Sequence, residues 1–121
     1  MGKHVTWIEY RGQKILYSDY SGLRGAAYEA AVDETVEELL KLPDGTTAPS
    51  ITNIQGTSMS PTTAAKGREV VALVKKKNVK GPTVIFGVSG LVGSVIGLLQ
   101  MDVHTAKTFE EAKEWVLTHP E

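Results

Sequence analysis

Residues 81–101 read GPTVIFGVSGLVGSVIGLLQM and contain no charged side chain. A helix of that length could cross a bilayer, and the lysines of the preceding segment 75–80 would flank it. Residues 83–88, however, form a β-branched and aromatic run between Gly-Pro and Ser-Gly, which is typical of a buried strand in a parallel sheet. Five glycines in the stretch would also weaken one continuous helix by roughly 1 kcal/mol each. We therefore predict a strand over 83–88, then a short buried helix over 91–101, and no membrane span.

A second uncharged stretch, residues 45–65, is rich in hydroxyl side chains rather than aliphatic ones. The 13 basic and 14 acidic side chains all lie outside the two stretches and leave a formal net charge of −1. This balance argues against a surface that binds nucleic acid. The lack of cysteine excludes disulfides, thiolate metal ligands and cysteine nucleophiles. The 121 residues suffice for one packed domain, which we predict to span 1–121.

Alternating side chains near the N-terminus predict a β-hairpin. Residues 5–10 and 13–20 alternate around a two-residue turn, Arg11-Gly12. From Leu23 the period becomes helical, and strands then alternate with helices to the end of the chain. The resulting order, β-β-α-β-α-β-α-β-α, indicates parallel pairing with right-handed crossovers. We predict a single α/β domain with a mostly parallel mixed sheet of about five strands, an N-terminal hairpin and four helices.

The first helix in this pattern is amphipathic. Its apolar residues recur at helical spacing and form an inward stripe of Tyr28, Val32, Val36 and Leu39. Acidic residues cover the side that we predict to be solvated, namely Glu29, Asp33, Glu34, Glu37 and Glu38. Ser60-Pro61 predicts the start of the second helix, because a hydroxyl N-cap is often followed by proline. Thr108 and Glu111 form a capping box for the last helix.

Candidate catalytic and metal-binding residues are few. The histidines, His4, His104 and His119, lack the spacing of a zinc site, which needs about three protein ligands. Residues 87–91, Gly-Val-Ser-Gly-Leu, resemble a nucleophile elbow around Ser89, but the second glycine is one position early. We prefer Ser89 as a helix N-cap, with hydrolysis through Ser89 as a third alternative. We expect no enzymatic activity, no cofactor and no bound metal.

The hydroxyl-rich turn after the third strand is the most suggestive site. It joins the carboxyl end of a parallel strand to a helix N-terminus, the place where ligands bind in open α/β sheets. Free N–H groups there attract anions, including a phosphate carried by one of the hydroxyls. The alternative is that Ser60 caps the helix and the other hydroxyls belong to a polar loop. The candidate residues for partner binding or phosphorylation are Thr57, Ser58, Ser60, Thr62 and Thr63.

The chain resembles the STAS superfamily (sulfate transporter and anti-sigma-factor antagonist), and within it the small bacterial SpoIIAA-like branch. The resemblance rests on segments spread over nearly the whole chain: 7–10 (WIEY), 14–17 (KILY), 19–23 (DYSGL), 56–61 (GTSMSP), 87–91 (GVSGL) and 108–115 (TFEEAKEW). It implies a sheet wound sequentially with helices and a binding module rather than an enzyme. In well-understood members, a partner kinase phosphorylates a serine at the start of the helix after the third strand, which switches partner binding. Thr62 and Thr63 lie nearest that position here, without the acidic residue and glycine of the usual Asp-Ser-Ser-Gly-like sequence.

Two functions from different classes follow from the sequence. The first is a cytoplasmic, non-enzymatic regulatory module that binds a protein partner, or a second copy of itself, through the turn 56–63. The alternative is a carrier of a small apolar ligand or lipid that uses the helix 91–101, since this branch is likened to lipid-binding CRAL-TRIO domains. The candidate ligand or interface residues there are Ser89, Gly90, Gly93 and Gly97, because glycines spaced by four allow close helix packing.

Overall fold

The computed structural model describes residues 4–57, 61–87 and 104–119, with 61–64 described by their backbone. The strands are β1 (Val5–Tyr10), β2 (Gln13–Asp19), β3 (Ser50–Asn53), β4 (Thr83–Phe86) and β5 (His104–Ala106). The helices are α1 (Gly25–Leu40), α2 (Pro61–Lys76) and α3 (Phe109–Thr118). Four helices were predicted; the described ranges contain three, and the predicted helix over 91–101 lies outside them.

The five strands form one sheet in the order β1-β2-β3-β4-β5. The pairing of β1 with β2 is antiparallel, and the other three pairings are parallel. Arg11 and Gly12 join β1 to β2 with φ of 51° and 84°, the backbone that suits a tight hairpin. The predicted hairpin and the predicted strand that begins at Thr83 are therefore confirmed.

Both faces of the sheet are covered, because successive side chains of a strand point to opposite faces. On one face, Ile15 and Val84 belong to a buried cluster with Ala112 and Val116 of α3. On the other face, α1 and α2 lie side by side, and Lys66 of α2 forms a 2.7 Å ion pair with Asp33 of α1. In the described ranges, no helix has both the length and the apolar character that a membrane crossing demands.

The prediction that Glu38 lies on a solvated face is wrong. Glu38 is only 7% exposed, and its carboxylate accepts a 3.1 Å hydrogen bond from the Trp7 indole N–H. Lys41 lies 2.9 Å from the same carboxylate, and its hydrogen bond is the main cause that lowers the pKa of Glu38. Because the last turns of α1 pack against β1 and β2, Glu38 lies within reach of Trp7 and serves as the acceptor that the indole needs. The predicted stripe is otherwise confirmed: Tyr28, Val32 and Leu39 are buried, and Val36 is half-buried.

The capping box of the last helix is also confirmed. The Thr108 hydroxyl oxygen accepts a 3.1 Å hydrogen bond from the backbone N–H of Glu111. The cap fixes the start of α3 directly after β5, so that Ala112 and Val116 reach the sheet.

Candidate binding surface at the carboxyl edge of the sheet

The carboxyl ends of β2, β3 and β4 lie side by side. Asp19 pairs with Asn53 and Asn53 pairs with Phe86, so the three strands end in register at one edge. The helices α1 and α2 begin at this edge because each follows one of these strands. The hydroxyl-rich turn identified from the sequence therefore lies where the fold brings several loops together.

Two of these loops repeat one local structure. Asp19-Tyr20-Ser21-Gly22 begins at the last residue of β2, and Asn53-Ile54-Gln55-Gly56 begins at the last residue of β3. In each loop, the first side chain accepts a hydrogen bond from the backbone N–H two residues later, at 3.1 Å for Asp19 and 2.9 Å for Asn53. These are Asx-turns, and the glycine that closes each one has a φ of 69°.

The repeated turns are tied to each other through the backbone. The N–H of Tyr20 donates to the carbonyl of Asn53 at 2.8 Å, and the N–H of Gly22 donates to the carbonyl of Gln55 at 2.8 Å. The N–H of Ile54 donates to the carbonyl of Phe86 at 3.0 Å. The hydrogen-bond ladder of the sheet thus continues beyond the strands, and the loops form one connected layer.

Gly87 allows the loop after β4 to join that layer. A Cβ atom at Gly87 would lie 2.3 Å from Cγ and 2.8 Å from the backbone nitrogen of Gln55. Its φ of 85° also falls in the region that side chains disfavour. Gly87 is therefore required for the close approach of two loops.

Thr57, the first residue of the predicted contact site, points into this layer. Its hydroxyl donates a 2.6 Å hydrogen bond to the backbone carbonyl of Tyr20, and the residue is 6% exposed. Its N–H donates to the carbonyl of Ile54 at 3.1 Å. Thr57 thus anchors the turn, and its hydroxyl is committed to the fold.

The other predicted site residues are described less fully or not at all. Thr62 and Thr63 lie in the first turn of α2, which places them at the same edge. Ser58 and Ser60 lie outside the described residues, as do Ser89, Gly90, Gly93 and Gly97. The roles assigned to these residues stay predictions.

The exposed part of the edge is small and poor in charge. Residues 20–27 and 54–57 include one charged side chain, Arg24. The exposed residues beside it are small or uncharged: Ser21, Gly22, Gly25, Ala26, Ala27, Gln55 and Gly56. The opposite edge carries exposed Lys75, Lys76 and Lys80. A patch of small side chains, with Arg24 and the half-buried Asp19 as its charged groups, therefore adjoins the hydroxyl-rich turn.

A buried group of hydroxyls supports this edge from below. The Tyr20 hydroxyl lies 2.5 Å from the Thr35 hydroxyl, which lies 2.9 Å from that of Ser18. The Tyr20 ring meets the Tyr28 ring edge-on at 5.4 Å between centroids. Burial is the main cause that raises the pKa of both phenols. Tyr20 is consequently fixed both at its backbone, by Thr57, and at its hydroxyl.

The histidines form no ligand set in the described ranges. His104 and His119 stack on opposite sides of Trp115, with ring centroids 3.4 and 3.5 Å from the indole. Among the described residues, no three His, Asp or Glu side chains come together in a group that could hold a metal ion. His104 and His119 therefore have a packing role at the β5 side of the sheet, whereas His4 lies before β1 at the opposite edge.

Comparison with solved structures identifies the fold. The chain is similar to an uncharacterized protein of the DUF3478 family with a SpoIIAA-like fold from Shewanella loihica PV-4. The TM-score is 0.65 at 14% identity, over 96% of this chain and 97% of that one. This chain has a SpoIIAA-like fold. The resemblance seen in the sequence is thereby confirmed for the fold. No family model matches the chain, and no curated protein matches it.

The sequence reasoning overlooked the residues that build the edge. Tyr20, Gln55 and Gly87 were not proposed as site residues, yet they connect the three loops. One signal could have found the repeated turns: an Asp or Asn at the end of a strand, followed three residues later by glycine.

Proposed function

We propose that the chain is a non-enzymatic interaction module of the cytoplasm that binds a protein partner through the carboxyl edge of its sheet. The contact surface consists of residues 21–27, residues 55–56 and the hydroxyl-rich turn that leads into α2, with buried Tyr20 and Thr57 holding it in place. The observation that carries this proposal is the layer formed by the two Asx-turns, whose loops are tied to each other by backbone hydrogen bonds.

The rigidity of the layer supports binding. Loops that are already held in place lose little conformational entropy when a partner binds, so more of the contact energy remains as affinity. Gly22 N–H to Gln55 carbonyl and Thr57 hydroxyl to Tyr20 carbonyl are bonds of this kind. A flexible loop of the same composition would bind more weakly.

The composition of the layer supports a protein as the partner. The centres of protein–protein interfaces are depleted in charged residues, and Arg24 is the one charged side chain in residues 20–27 and 54–57. Small side chains such as Ala26 and Ala27 let a partner approach the backbone closely.

A hydroxyl in the first turn of α2 offers a means of regulation. A phosphate on Thr62 or Thr63 would add about −1.5 to −2 charges to this nearly uncharged surface. The N–H groups of the helix start would stabilise it, and the partner surface would be altered. The resemblance to STAS proteins supports this switch.

The proposal is tested by substitution of the hydroxyls and recovery of bound protein from a native extract. The combined Ser58→Ala, Thr62→Ala, Thr63→Ala variant is expected to lose the proteins that the unmodified chain retains. Thr47→Ala is the matched control, because Thr47 is exposed before β3, at the other end of that strand. Identical recovery by all three proteins would count against the turn as the contact site.

A second candidate function is favoured by one cavity. An open cleft of about 520 Å³ lies near the amino ends of β4 and β5, and Val71, Val74 and Trp115 line it together with the polar side chains of Lys75, Asn78 and His104. Its volume is within the roughly 300–1,000 Å³ of small-molecule sites. A carrier of a small apolar ligand would show bound fatty acid by native mass spectrometry after incubation with octanoate or palmitate. Val71→Trp should abolish that binding and Ala72→Trp, an exposed neighbour, should not.

A further inference from the structure

The sheet face beneath α1 and α2 carries an unusual group of hydroxyl side chains. Ser18 of β2 is paired with Thr52 of β3, and Ser50 of β3 is paired with Thr83 of β4. Covered sheet faces in α/β proteins are normally aliphatic. The hydroxyls therefore call for a physical explanation.

These hydroxyl-bearing residues form one part of the wall of a small cavity whose lining is otherwise mostly apolar. It has a volume of about 20 Å³ and is lined by Ser18, Thr35, Ser50, Thr52 and Thr83. Leu39 of α1 and Val70 and Val74 of α2 complete its wall on the helix side. A water molecule needs at least about 10–15 Å³ of such space and two to four polar partners. The cavity has the volume for one water, and five of its lining residues carry a hydroxyl that can serve as a partner.

The contacts of Thr35 limit which of the neighbouring hydroxyls can donate a hydrogen bond and which can accept one. The Thr35 hydroxyl lies 2.9 Å from that of Ser18, 2.5 Å from that of Tyr20 and 3.5 Å from the carbonyl of Ala31. The Ala31 carbonyl is the most distant of the three partners and can only accept. When Thr35 donates to Ala31, it accepts from both Ser18 and Tyr20.

In this arrangement, Ser18 gives its single proton to Thr35. The Ser18 oxygen can still accept a hydrogen bond from another donor. Bulk water cannot supply one, because the residue is 1% exposed and borders the cavity. A buried acceptor is stabilised by a donor, and a water in the cavity can supply one. The same water can bond to the hydroxyls of the strands around it.

We propose that this cavity is a hydration site that holds one ordered water, bonded to Ser18 and to hydroxyls of β3 and β4. The inference is independent of the proposed function. It accounts for the polar side chains under α1 and α2 and links Tyr20, through Thr35 and Ser18, to the interior of the domain.

The site is tested by counting long-lived internal waters through the magnetic relaxation dispersion of oxygen-17 water. The unmodified protein is expected to show such a water, and Thr52→Val is expected to lose it because a hydroxyl partner is replaced by a methyl of the same shape. Thr105→Val is the control: Thr105 lies on the same face of the sheet but outside the lining of this cavity. Loss of the signal in Thr52→Val alone supports the site. The same signal in all three proteins would overturn it.

A crystal structure gives a second and independent readout. The site is supported by density for a water within about 3.2 Å of Ser18 Oγ. An empty cavity in a map that resolves other buried waters would refute the site. This measurement uses the unmodified chain, so it decides the question even if a variant fails to fold.

Discussion

The hydroxyl of Thr57 donates a 2.6 Å hydrogen bond to the backbone carbonyl of Tyr20, 37 positions earlier in the chain. Tyr20 is itself held by its phenol, which lies 2.5 Å from the Thr35 hydroxyl under α1. A single residue thus connects the start of the hydroxyl-rich turn to the buried polar group. The position of the turn depends on these bonds rather than on the loop sequence alone.

Thr57→Val should destabilise the domain. The methyl group fills the same space, but the carbonyl of Tyr20 keeps only its 3.1 Å hydrogen bond from the Leu23 N–H. The loss of the Thr57 bond should cost about 0.5–1.5 kcal/mol. Chemical denaturation measures the change in free energy of unfolding. Thr57→Ser keeps the hydroxyl and should restore most of the loss. Equal stability of the valine variant and the unmodified protein would show that the bond contributes nothing.

Gly87→Ala should destabilise the domain more than Gly45→Ala. The two glycines have φ of 85° and 82°, so alanine suffers the same backbone strain at both. A Cβ at Gly45 has no atom within 4 Å, whereas one at Gly87 would lie 2.8 Å from the nitrogen of Gln55. We expect a loss of about 1 kcal/mol at Gly45 and about 1–3 kcal/mol more at Gly87. Thermal unfolding of the two variants separates the steric clash at Gly87 from the backbone strain that both share. Equal losses of stability would argue against the close approach of the loops.

Tyr28→Phe should make the protein more resistant to alkali. Burial raises the pKa of Tyr28 above its ordinary value of 10.0, so the folded state holds the phenolic proton more tightly than the unfolded state does. Stability from this group is full below pH 10.0 and declines as the pH rises above it. The phenylalanine variant lacks this decline. Unfolding followed by circular dichroism between neutral and strongly alkaline pH should show a flatter profile for Tyr28→Phe; parallel profiles would contradict the prediction.

Glu38→Gln should reduce the loss of stability in acid. The Lys41 and Trp7 hydrogen bonds lower the pKa of Glu38 below its ordinary value of 4.5, so the folded state releases the proton more readily. The resulting stabilisation is present above pH 4.5 and is lost as the pH falls through the lowered pKa. Thermal unfolding at neutral pH and at pH values below 4.5 should show a smaller difference for Glu38→Gln than for the unmodified protein. Glu37→Gln, on the exposed side of α1, is the control and should keep the normal difference.

Much of the fold could be predicted because the spacing of apolar residues within a short segment indicates which side of a helix or strand is buried. The β1–β2 hairpin, the start of β4 and the Thr108 cap each depend on a few neighbouring residues, and all three are confirmed. Glu38 was misassigned because its partner Trp7 lies 31 positions away, where no helical period can reveal it.

The site was harder to predict than the fold. The turn after β3 was identified from its hydroxyls, but the inward direction of Thr57 depends on the carbonyl of Tyr20 in a neighbouring loop. Composition cannot distinguish a hydroxyl that faces solvent from one that ties two loops together. The Asx-turns could have been recognised, because Asp19 and Asn53 each stand three residues before a glycine.

The central claim is that a protein partner binds the carboxyl edge of the sheet, and charge placed on three exposed helical alanines tests it most directly. Ala26 and Ala65 lie in the first two turns of α1 and α2 at that edge, while Ala72 lies further along α2, away from it. Recovery of bound protein from a native extract should fall at least tenfold for Ala26→Arg and Ala65→Arg. A tenfold loss of affinity corresponds to about 1.4 kcal/mol of binding free energy. It should stay unchanged for Ala72→Arg. Full recovery with all three variants, each shown to be folded, would contradict the assignment of the carboxyl edge as the binding surface.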